Sequence, residues 1–115
     1  MSGSPIDLAT FAELQDAVGA DFATELVDTF LEEAPAMLAD LRASLAAADA
    51  DLYRRSAHSL KSNSNTFGAM ALGALARDIE LGGFSADAAA DAQALDTLDS
   101  AYTTAAAALK ALCSG

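Results

Sequence analysis

One histidine occurs in the 115-residue chain, His58, and it stands three residues before Lys61 in the run AHSLKSNSNTFG. Imidazole is the side chain best suited to act as nucleophile or proton carrier near neutral pH, because its ordinary pKa of about 6.5 leaves it mostly uncharged there. A lysine one helical turn away can offset negative charge arriving at that ring. Arg54, Arg55, Ser62 and Asn65 are its polar neighbours at helical spacing. With about 100° per residue, Tyr53, Ala57, Leu60, Ser64 and Phe67 gather on one stripe and His58 falls about 140° from Tyr53. Arg54, Lys61 and Asn65 flank it on one side, and Arg55 and Ser62 on the other. The imidazole is thus predicted to face water on a polar, cationic surface.

Charge marks the same place. The formal net charge is -11, yet four of the six basic residues are Arg54, Arg55, Lys61 and Arg77, and no carboxylate lies between Leu52 and Arg77. Such a window suits an anion or an acidic partner surface. The acidic whole disfavours nucleic acid and anionic membrane as partners.

Other chemistry lacks its residues. One histidine and the distant Cys113 do not make a usual metal set. No Ser-His-Asp or Cys-His pattern and no Gly-rich phosphate loop is present, so there is no visible means of using ATP. Cys113, the single cysteine, has no internal disulfide partner and is compatible with a reducing cytosol. No apolar run approaches the ~20 residues of a membrane span. The beginning of the chain, Met1 to Pro5, lacks the basic and apolar regions of a signal peptide.

The elements that must position His58 are helical. Apolar residues form 53% of the chain, alanine dominates them, and only two prolines occur; alanine is the best helix former. Thr10 is expected to cap a short helix closed by Gly19. Asp21 is expected to cap a second, whose apolar stripe runs from Phe22 to Leu45 through a kink at Pro35. Asp49 or Asp51 caps a third, reaching about Asn65, with a break at Gly68. A fourth carries Leu72, Leu75 and Ile79 and ends at Gly82-Gly83. A fifth starts at Ser85 or Asp87 and carries Leu95, Leu98, Tyr102, Ala105, Leu109 and Leu112. The expected architecture is an all-α, single-domain antiparallel four-helix bundle with a short extra N-terminal helix. Residues 1–6 are expected to be a flexible N-terminal segment.

Residues 57–80, AHSLKSNSNTFGAMALGALARDIE, resemble the signature of histidine phosphotransfer (HPt) domains of multistep two-component relays. The matching positions are His58, Lys61, Ser62, Gly68, Leu72, Leu75 and Glu80. Residues 30–49 also look like that family's long second helix, proline included. The resemblance implies a four-helix bundle with an exposed histidine. It implies that His58 is phosphorylated by an aspartyl phosphate on a receiver domain and hands the group to another receiver. Lys61 would lie beside the phosphoryl group, and Ser62, where glycine is commoner, would be the small residue that lets the partner dock. It implies a phosphotransfer intermediate in the cytoplasm without its own ATP-dependent kinase activity. Its partners would be response-regulator receivers and a hybrid histidine kinase, the Mg²⁺ for transfer held by the receiver, and the chain itself a monomer with no cofactor.

Arg54 and Asn65 are candidate supports for that site, either being equally well explained as a polar surface residue; for Lys61 a merely solvated cation is the weaker alternative. Gly68 reads as a packing residue and Glu80 as a helix end or a partner for nearby backbone, without a chemical role. Phe22, Leu26 and Met37 are candidates for a docking surface. An adaptor that binds receivers without transferring phosphate is the competing expectation, and a purely structural bundle the third.

Overall fold

The computed structural model describes residues 5–114. Among them are five helices and no strand: α1 Leu8–Val18, α2 Ala20–Ala47, α3 Ala50–Thr66, α4 Met70–Gly82 and α5 Ala88–Ser114. The all-α expectation therefore holds, and each expected helix is present. Residues 1–4 of the expected flexible segment lie outside the described residues. Ile6, at its other end, is fully buried in the core.

The helix ends follow from local chemistry. Asp7, not Thr10, caps α1: its side chain accepts from the Ala9 amide at 3.1 Å and from the Thr10 hydroxyl. Gly19, at φ +91°, closes α1 and opens α2, leaving Asp21 inside the first turn rather than at the cap. The 28-residue α2 runs through Pro35 without splitting. Asp49 caps α3 by accepting from Leu52 N at 3.1 Å. Asp87 accepts from the amides of Ala89 and Ala90 at the start of α5. These side chains satisfy amide donors that have no partner inside a helix.

Packing is cyclic. α3 packs most extensively on α4 and then on α2, α5 closes against α2 and α4, and α1 lies on α2 and α3. The core takes Val27, Phe30 and Leu41 from α2, Tyr53, Ala57 and Leu60 from α3, Leu72 and Ala76 from α4, and Leu95, Leu98 and Leu109 from α5. Phe30 stacks at 5.2 Å on Phe67, the residue that ends α3. On the surface, Arg42 of α2 pairs with Asp96 and Asp99 of α5.

Gly68 fixes the α3–α4 corner. Its φ of +85° lies in the left-handed region, and a Cβ there would stand 2.7 Å from the Asp7 carbonyl oxygen. The Asp7 amide donates to the Gly68 carbonyl at 2.7 Å. A side chain would break both the turn and that bond, so the packing expectation for Gly68 holds. The corner sets where α4 lies against α3, and so which α4 residues meet the face that carries His58.

Candidate functional site

The predicted core stripe of α3 is buried, each of Tyr53, Ala57, Leu60, Ser64 and Phe67 being at most 4% exposed. On the other side of the helix, the His58 side chain is 57% exposed. The amphipathic period alone places the ring in solvent, in the middle of the 17-residue α3.

His58 does not stand alone. Glu80, in the last turn of α4, reaches across the seam and places Oε2 at 2.8 Å from His58 Nδ1. Its other oxygen, Oε1, lies 2.7 Å from Lys61 Nζ. One carboxylate thus bridges the imidazole and the ammonium. Oε1 is buried and accepts no well-directed hydrogen bond; the ammonium compensates its charge. The Glu80 side chain is only 13% exposed and that of Lys61 25%, against 57% for the ring they hold. The Lys61 ammonium first, and then the His58 imidazole, keep the Glu80 carboxyl below its usual range. It is therefore ionised at neutral pH.

This corrects two expectations. Glu80 neither closes α4, which ends two residues later, nor bonds backbone. The histidine face also has a carboxylate, delivered by a helix distant in sequence. The basic window is about half neutralised: the single Asp51 takes Arg54 at 3.1 Å and Arg55 at 2.7 Å, and Glu80 takes Lys61. Arg54, a candidate support, is thus turned to its own helix's first turn, one turn back from His58.

A carboxylate accepts but does not donate. An uncharged imidazole facing ionised Glu80 through Nδ1 therefore carries its proton on Nδ1. That leaves Nε2 as the nitrogen with a free lone pair, and the ring's exposure presents it outward. A carboxylate that fixes tautomer and ring orientation is a recurrent device for making a histidine act through one chosen nitrogen. Ser62, one position after Lys61, is exposed and adds little bulk beside the ring. Asn65 is exposed on the same face, its side chain lying over Gly73 of α4. Of the docking candidates, Phe22 is 49% exposed, whereas Leu26 and Met37 are partly buried against the core. Among the described residues no group of three or more His, Cys, Asp and Glu side chains is placed to hold a metal ion.

The fold is thus a helical domain that presents one solvent-facing histidine held by an acid. The sequence profile of the Hpt domain family matches residues 25–112, and the chain belongs to that family. Hpt domains are phosphotransfer carriers rather than kinases, and they work with receiver domains and histidine kinases in two-component phosphorelays. Among solved structures, the fold is similar to histidine-containing phosphotransfer protein B (HptB) from Pseudomonas aeruginosa PAO1, with a TM-score of 0.85. That likeness covers 98% of this chain and 97% of the other at 24% identity, and it is one of fold. Comparison with curated proteins gives no match.

Proposed function

We propose that His58 Nε2 is the phosphoryl acceptor of this chain in a His-Asp relay. The observation that carries the reading is the bridge from Glu80 to both His58 and Lys61, on an imidazole that is more than half exposed. In the forward step the Nε2 lone pair attacks the phosphorus of a receiver's aspartyl phosphate. The new N–P bond forms as the P–O bond breaks, and the electron pair leaves with the receiver's carboxylate. The ring is then a phosphoimidazolium whose Nδ1 proton stays hydrogen-bonded to Glu80. In the reverse step a carboxylate oxygen of a second receiver attacks phosphorus, and the N–P pair returns to Nε2.

Lys61 supplies positive charge beside the three phosphoryl oxygens. Glu80 is a positioning residue: it holds the Nδ1 proton and offsets the cationic charge that the ring gains on attack. Ser62 leaves room for the partner, and Asn65 lies within the docking face. Arg54, engaged by Asp51, adds to the field of that face rather than to direct contact. The Mg²⁺ that phosphoryl transfer requires belongs to the receiver.

The cyclic order of helix contacts supports an antiparallel four-helix bundle with α1 as the extra element. The chain is read as a cytoplasmic monomer whose partners are response-regulator receivers and a hybrid histidine kinase. The test is a transfer profile. Incubation with a panel of phosphorylated receivers should give acid-labile, base-stable label on the chain, and His58→Gln should remove it. Label that persists in His58→Gln, or receiver binding with no label on the unaltered chain, rejects the carrier reading. The second outcome favours an adaptor.

A further inference from the structure

Gly73 lies in the interior of α4, buried at the seam with α3. Glycine is a poor choice inside a helix, since it adds backbone freedom to the unfolded chain and gives no side chain to pack. The neighbour explains it. A Cβ at Gly73 would come 2.1 Å from Asn65 Oδ1 and 2.9 Å from its Cγ. The amide of Asn65 occupies the space that any other residue at 73 would fill. Asn65 is nevertheless exposed, and among the described residues no hydrogen bond engages its side-chain amide. Its carboxamide oxygen lies against Gly73, and the Nδ2 donors stand farther from the seam.

Its position relative to His58 gives that arrangement a use. Asn65 is seven residues beyond His58 on the same helix, about 20° away in projection and about 10 Å along the axis. A partner patch of ordinary size covers about 800 Å², so any receiver seated over His58 also covers Asn65. Lys61 lies between the two on the same face.

We infer that Asn65 is a receiver-recognition residue whose amide is pre-set by the Gly73 gap to hydrogen-bond the docked receiver. This rests on the carrier reading of His58 and adds the residue that secures the partner. Asn65 acts in binding, away from the reacting atoms, and Gly73 acts only through Asn65. An amide already seated over Gly73 in the free chain has less freedom to lose on docking, which lowers the ordering penalty.

The experiment measures transfer from the phosphorylated receiver that labels the unaltered chain fastest, with receiver concentration varied. Asn65→Ala should raise KM for the receiver roughly 3- to 10-fold, the value of one lost neutral hydrogen bond, with the maximal rate unchanged. Gly73→Ala keeps Asn65 but displaces its amide, and should raise KM similarly while leaving thermal stability equal or higher. In the double variant KM should match Asn65→Ala alone. An unchanged KM in Asn65→Ala, or Gly73→Ala raising KM as much without Asn65 as with it, overturns the inference. If the unaltered chain takes no label on His58, it is the carrier reading that fails, and this inference with it.

Discussion

Glu80 Oε2 lies 2.8 Å from His58 Nδ1 although the two residues are 22 positions apart and on different helices. That contact decides which ring nitrogen is presented to a partner. It also explains why α4 carries a largely buried, ionised acid in its last turn.

Removing the acid should therefore free the ring. In Glu80→Ala the imidazole is expected to shift toward the tautomer protonated at Nε2, seen in nitrogen-15 spectra. Transfer to His58 should slow about 10- to 100-fold, the worth of one charge-assisted hydrogen bond. Glu80→Gln keeps an acceptor but not the charge and should fall between. Wild-type tautomer populations in Glu80→Ala would show that the contact does not orient the ring.

The same acid links stability to pH. Its carboxyl is held low, by Lys61 first and then His58, so folding favours the ionised form. The contribution is complete above the ordinary glutamate pKa of about 4.3 and is lost as pH falls through the depressed folded value. Denaturant melts of the unaltered chain should weaken across that acid window, and Glu80→Gln should weaken less steeply. Parallel acid profiles for the two proteins would contradict this.

Lys61→Ala removes the ammonium that faces both Glu80 and the incoming phosphoryl group. The chain should remain helical with a cooperative melt, because Lys61 lies outside the core, while transfer slows about 10-fold or more. An unchanged single-turnover rate would remove Lys61 from the reaction.

Gly68→Ala tests the corner that sets α4 against α3. Positive φ and the Asp7 carbonyl oppose a Cβ together, and the loss of stability should be about 1–3 kcal/mol. Chemical denaturation measures it; a loss near zero would mean that the corner relaxes freely.

How much of this the sequence carries depends on range. The exposure of His58 and the burial of Tyr53, Leu60 and Phe67 follow from the period of a single helix, so they are legible along the chain. The Asp49 cap and the glycine breaks are equally local. Glu80 is not: its partnership depends on how α4 is laid against α3, which no spacing within either helix states. Asn65 and Gly73 meet for the same reason. The pairing of Asp51 with Arg54 and Arg55 is a different lesson, since three- and four-residue spacing signals it directly and shows that the cationic window is smaller than its residue count. The Asp7 cap displaces Thr10 because the chain is tied to Gly68, a contact between segments far apart in sequence.

The central claim is that a single nitrogen, His58 Nε2, carries the phosphoryl group. The direct measurement is phosphorus-31 and nitrogen-15 spectroscopy of the isotopically labelled chain after transfer from a phosphorylated receiver. One phosphohistidine signal is predicted, with phosphorus coupled to Nε2 and the proton retained on Nδ1. Phosphorus on Nδ1, or on any residue other than His58, would contradict the account.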